Sequence, residues 1–191
     1  MKKVYIIHGW DGSPDEPLFL WFDKNLTDKG YEVKRLSMPD PKVPVIEKWI
    51  GKLREEITPD ENTILVGHSV GCQAVMRYLE TQDESIRIAG ILLLAPWMHL
   101  DQTTIEEEGE EVVEIARPWM EIPINFEKVK NISPKITAIF SDNDVFVPVS
   151  EEKFFADKLD AKTIMEHEKG HLGPADNISE LQSALDSILE F

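Results

Sequence analysis

The sequence predicts an α/β protein, a three-layer sandwich in which about six mostly parallel strands lie between two layers of helices. Three observations lead there. Short, β-branched apolar runs alternate along the chain with segments whose apolar residues recur every three or four positions. Some of those runs, such as 88–95, are apolar throughout, as a strand covered on both faces must be. The length of 191 residues suits one domain, residues 1–191, with a sizeable core.

Residues 2–7 are the first strand, and it ends in a glycine-rich loop, His8-Gly9-Trp10-Asp11-Gly12-Ser13-Pro14. Leu18, Trp21, Phe22 and Leu26 share one face of a helix over 17–29, which Gly30 closes. Residues 31–38 alternate as a strand does. Val45, Ile46, Trp49, Leu53 and Ile57 form a second helical stripe, ended by Pro59. A strand then runs into Gly67, and Val75, Met76 and Leu79 mark the helix after it. Strands follow at 88–95 and 135–141. A helix over 151–159 turns Phe154, Phe155 and Leu159 inward, and a last strand covers 162–166. Ile178, Leu181, Leu185 and Ile188 mark a closing helix. The exception is 98–131, which holds the run Glu106-Glu107-Glu108-Gly109-Glu110-Glu111 and then Ala116-Arg117-Pro118-Trp119-Met120. It reads as an irregular, cap-like insertion over the active edge of the sheet, with the glutamates as a solvated face.

Charge and composition exclude several functions. Twenty Lys and Arg stand against 36 Asp and Glu, a net charge of -16, which repels phosphate backbones and anionic lipid surfaces. No nucleic-acid or membrane partner is expected. One cysteine, Cys72, allows no internal disulfide, and the apolar run after Met1-Lys2-Lys3 stops at His8, too short for a signal peptide. A cytoplasmic location is the expectation.

Residues 62–74 carry the chemistry. A β-branched run leads into Gly67-His68-Ser69-Val70-Gly71, and a helical pattern leads out. This is the G-x-S-x-G pattern in the strand–turn–helix setting that lifts a serine onto a strained turn. A serine hydroxyl needs a base to take its proton and a carboxylate to orient that base. In sheets of this type the acid and then the histidine follow the serine in sequence. The loop Ser141-Asp142-Asn143-Asp144-Val145-Phe146-Val147-Pro148 offers two acids. Asp144 is preferred, at the tip of the turn, with Asp142 bracing the loop. His171, in Gly170-His171-Leu172-Gly173-Pro174, is the expected base; His167 is its rival, and His8 and His68 are expected to brace loops. The amides of Val70 and of Trp10, in the loop after the first strand, are the expected oxyanion hole. Trp97, Trp119 and Phe146 are candidate substrate contacts.

His167-Glu168-Lys169-Gly170-His171 also matches H-E-x-x-H, the zinc-hydrolase pattern. That chemistry needs both histidines on one face of a helix, and Gly170 with Gly173-Pro174 opposes a helix there. No P-loop and no G-x-G-x-x-G occurs, so neither metal nor cofactor is expected.

These motifs together, His8-Gly9-Trp10, Gly67-His68-Ser69-Val70-Gly71, Arg117-Pro118-Trp119, Ser141-Asp142-Asn143-Asp144 with Val147-Pro148, and Gly170-His171, span nearly the whole chain. They resemble the small α/β-hydrolase-fold serine hydrolases, the family of the vertebrate retinoblastoma-binding serine hydrolase and the YdeN-like bacterial proteins. The resemblance implies a compact α/β-hydrolase fold, the Ser69–Asp144–His171 triad, the two oxyanion amides and an esterase or peptidase activity. The order of serine, acid and histidine at three successive strand ends leads to the expectation of a serine hydrolase that cleaves a carboxylic ester or a related small acyl substrate through an acyl-enzyme. The Leu-x-Cys-x-Glu motif after which the vertebrate protein is named is absent, because Cys72 sits in Val70-Gly71-Cys72-Gln73-Ala74, so that partner is not carried over. The acidic insertion supports a second reading, an interaction protein with little turnover.

Overall fold

The computed structural model describes residues 1–191. The chain runs β1 (Lys3–Ile7), α1 (Pro17–Thr27), β2 (Glu32–Leu36), α2 (Ile46–Glu56), β3 (Thr63–His68), α3 (Val70–Glu80), β4 (Gly90–Leu94), α4 (Gln102–Glu107), α5 (Glu110–Glu121), α6 (Phe126–Ile132), β5 (Ile136–Ser141), α7 (Ser150–Leu159), β6 (Lys162–Glu166) and α8 (Gln182–Glu190). The six strands form one sheet in the order β2-β1-β3-β4-β5-β6, and every neighbouring pair is parallel.

Strand alternation divides the core in two. Tyr5, Ile7, Leu65, Ile91, Leu93, Ala138 and Phe140 face α2, α3, α6 and α7, meeting Trp49, Leu53, Val75, Val129, Ile132 and Phe155. Val4, Ile6, Ile64, Val66, Leu92, Leu94 and Ile139 face α1 and α8, meeting Phe19, Phe22, Leu185 and Ile188. The strand order reverses between β1 and β3. The chain after β1 therefore enters α1 on one face, while the chain after β3 enters α3 on the other. A crevice opens between such diverging loops at the carboxyl ends of the strands, where ligands bind in open α/β sheets.

Two sequence expectations need correction. Residues 98–131 are not irregular: they form α4, α5 and α6. Gly109, at φ 110°, separates α4 from α5, and Pro118 lies inside α5, so the breakers that suggest a loop fall at a helix junction and within a helix. Glu106, Glu107, Glu108, Glu110, Glu111 and Glu114 are all exposed on these helices. Arg77 ties this segment to α3. It is buried and donates to the carbonyls of Trp119 (3.0 Å) and Ile122 (2.7 Å) at the end of α5, where a helix dipole favours a cation. The closing helix is also shorter than expected. Ile178 and Leu181 are buried, but they precede α8, in the segment after a 3-10 turn at Pro174–Asp176. No helix is long and apolar enough to cross a membrane.

Candidate active site

The elbow between β3 and α3 is built by close approach. Ser69 has φ 52° and ψ −122°, a left-handed strain, and its amide is held by the Leu94 carbonyl at 2.9 Å. A Cβ on Gly67 would stand 2.7 Å from the Cys72 backbone, and one on Gly71 would stand 2.6 Å from the Ile7 and His8 carbonyls. Any larger residue at either position would force the turn open or push α3 away from β1.

The serine hydroxyl points along a hydrogen-bonded chain. Ser69 Oγ lies 2.9 Å from His171 Nε2, and His171 Nδ1 lies 2.7 Å from Asp144 Oδ2. The Asp144 side chain is 2% exposed and that of His171 is 19% exposed. Asp144 Oδ1 accepts from the amides of Phe146 (2.9 Å) and Val147 (3.1 Å), which fixes the carboxylate. An ionised carboxylate only accepts, so Nδ1 of His171 carries the proton and the Nε2 lone pair faces the hydroxyl. This arrangement can draw a proton from a serine as it attacks a carbonyl.

The neighbouring acids and histidines take supporting positions. Asp142 accepts from the Glu168 amide (2.9 Å) and from His167 (2.6 Å); these two bonds, the amide first, hold its carboxyl below the usual range. Asn143 Oδ1 accepts from the Gly170 amide, and Ser141 Oγ accepts from the Lys169 amide. The loop after β5 therefore holds the loop after β6 in place. His68 Nε2 donates to the His171 carbonyl at 2.8 Å; burial first, and then the charge of His171, push the His68 pKa down to about 4. His8 receives the Met38 amide and donates to the Gly9 carbonyl. The H-E-x-x-H pattern is not helical: Glu168 and Gly170 both have positive φ, and His167 and His171 point to different carboxylates.

Around Ser69 lies a cavity of about 290 Å³ walled mainly by Trp10, Trp97, Leu100, Ile105, Val112 and Phe146. Trp97 also donates its indole N–H to Ser69 Oγ at 3.3 Å. Of the three expected substrate contacts, Trp97 and Phe146 line this cavity and Trp119 does not. Trp119 is buried against Trp49 at 6.0 Å and donates to the Pro44 carbonyl. It follows Val112 by two helical turns, about 10 Å along α5, and so has passed beyond the site. Leu100, Ile105 and Val112 escape a sequence reading because they lie in the segment taken for irregular; the spacing of Val112, Ala116 and Trp119 is a signal for Val112 alone, as part of one face of α5. The amide of Val70 is the first of α3, beyond reach of that helix's own carbonyls. The loop bearing Trp10 passes close by, for a Cβ on Gly9 would lie 3.3 Å from that of Ser69.

The fold and the elbow serine define a hydrolase of the α/β-hydrolase class. The chain belongs to the serine hydrolase family, whose model matches residues 4–188. YdeN of Bacillus subtilis (strain 168) is 28% identical over 191 residues, 100% of this chain and 96% of YdeN. Serine hydrolase RBBP9 of Rattus norvegicus is 31% identical over 166 residues, 86% of this chain and 78% of that protein. The crystal structure of the ydeN gene product superposes with a TM-score of 0.87 at 29% identity, covering 100% of this chain and 98% of that one. Est1E from Butyrivibrio proteoclasticus shares the fold, with a TM-score of 0.71 at 16% identity over 99% of this chain and 87% of its own.

Proposed function

We propose that the protein hydrolyses carboxylic esters through an acyl-enzyme, with Ser69 as nucleophile, His171 as general base and acid, and Asp144 orienting the imidazole. The observation that carries this reading is the unbroken contact chain of 2.9 Å and 2.7 Å from the Ser69 hydroxyl to a buried carboxylate. As Ser69 Oγ bonds to the substrate carbonyl carbon, its proton passes to His171 Nε2. The negative charge that forms on the carbonyl oxygen is received by the amides of Val70 and Trp10. The intermediate expels the alcohol, which takes the proton from His171. Water, deprotonated by the same nitrogen, then releases the acid and restores Ser69. The acyl chain occupies the apolar cavity beside Trp97 and Phe146. Hydrolysis of p-nitrophenyl butyrate tests the proposal. Wild-type turnover should fall by about 10³-fold or more in Ser69→Ala; equal rates in the two proteins would refute it.

A further inference from the structure

The histidine that faces Ser69 sits in a strained loop. Between β6 and the 3-10 turn, Glu168 (φ 52°), Gly170 (φ 55°) and Leu172 (φ 57°) all adopt the left-handed conformation. For a bulky residue such as Leu172 that conformation is a steric outlier. Such backbone persists only where its surroundings over-determine it. Here four successive amides each donate to a side chain. Glu168 donates to Asp142 Oδ1 (2.9 Å), Lys169 to Ser141 Oγ (2.9 Å), Gly170 to Asn143 Oδ1 (2.8 Å) and His171 to Asp176 Oδ2 (2.8 Å). The first three acceptors belong to the loop after β5. The fourth comes from the 3-10 turn that follows His171 and stands outside the Ser69–His171–Asp144 chain.

Asp176 is exposed, and the His171 amide is the one hydrogen bond of its side chain. Its carboxylate also fills the space that Gly170 leaves by having no side chain; a Cβ there would collide with it. At the other end of the same residue, the His171 carbonyl accepts from His68 Nε2 at 2.8 Å. His68 is the last residue of β3 and directly precedes Ser69. The main chain of His171 is thus held at its amide by Asp176 and at its carbonyl by the strand that carries the serine. The imidazole hangs from that main chain through two torsions, so a shift of the backbone is passed on to Nε2.

We propose that Asp176 is a positioning residue for the base: by holding the His171 amide it keeps Nε2 within reach of Ser69 Oγ. This inference rests on the serine-hydrolase reading above. The role needs an acceptor oxygen at this place and no charge. Asp176 does not line the apolar cavity, so its removal leaves acyl binding alone. A misplacement of about 1 Å at a reacting group costs about 10²-fold in rate. A loop still held by its three other amide bonds moves less, and a loss of about tenfold is expected.

Asp176→Ala and Asp176→Asn, compared with the wild type on p-nitrophenyl butyrate at neutral pH, test the idea. Rates are taken per serine titrated by a fluorophosphonate, so that unfolded molecules do not count. Asp176→Ala should lose about tenfold in kcat, with KM within about twofold of the wild type. Asp176→Asn keeps an oxygen in the same place and should retain about half of the wild-type kcat or more. Equal kcat in Asp176→Ala and the wild type overturns the inference and leaves the hydrolase reading standing. A loss in Asp176→Asn as large as in Asp176→Ala also overturns it, by assigning the effect to charge, and so does a loss carried by KM alone. A wild type that does not turn over the ester overturns the hydrolase reading and this inference with it.

Discussion

Asp144 and His171 stand 27 residues apart in the chain and 2.7 Å apart in space, while Asp142, two residues before Asp144, holds His167 instead. The two aspartates share a turn but not a task. Asp144 is buried and faces the imidazole beside Ser69. Asp142 is half-exposed and ties down the start of the next loop.

This division predicts opposite outcomes for two isosteric changes. Asp144→Asn keeps the turn but reverses the polarity at His171 Nδ1, and kcat for an ester should fall by about 10³- to 10⁴-fold. Asp142→Asn should cost less than about tenfold, because it loosens only the bonds to Glu168 and His167. Steady-state kinetics of both variants checks the assignment; similar losses in the two would place the acid wrongly.

Trp97 is expected to make a second, smaller contribution. Its indole N–H occupies a lone pair of Ser69 Oγ at 3.3 Å, which leaves the hydroxyl proton directed at His171. Trp97→Phe keeps an apolar wall and removes that donor. The expected loss is about fivefold in kcat/KM, the worth of one hydrogen bond. An unchanged rate would show that the indole acts by shape alone.

The stability of the fold should depend on pH through His68. Its folded pKa, about 4, lies below the ordinary value of 6.5, so the unfolded chain binds the proton more readily. Stability is therefore fully present above pH 6.5 and is lost as pH falls from there towards 4. The loss from this one group is about 3 kcal/mol. Urea unfolding between pH 7 and 4 should show a wild-type slope that flattens in His68→Gln. His8, also lowered by burial, adds a smaller loss of the same sign in both proteins.

Much of this was legible in the sequence because strand and helix signals are physically distinct here. Runs such as Ile64-Leu65-Val66 and Ile91-Leu92-Leu93 can only be covered on both sides, and the stripes at Leu18–Phe22–Leu26 and Trp49–Leu53 can only face a sheet. The elbow was legible because Gly67 and Gly71 are dictated by backbone contact. What escaped depends on distance through space. Gly109 and Pro118 lie at a helix junction and inside a helix, and Arg77 with the buried Trp119 holds the end of α5 in place. Reading 98–131 as irregular placed Trp119 at the site and hid Leu100, Ile105 and Val112. The unpaired lone pair on His68 is invisible without knowing that Gly9 lies against it.

The central claim is that the hydroxyl of Ser69 is the activated nucleophile. Exposure of the intact protein to a fluorophosphonate, followed by intact-mass measurement and peptide mapping, tests it most directly. The account predicts a single phosphonyl adduct on Ser69, none on Ser69→Ala, and much slower labelling of His171→Ala. An unlabelled wild type, or an adduct that persists on Ser69→Ala, would contradict it.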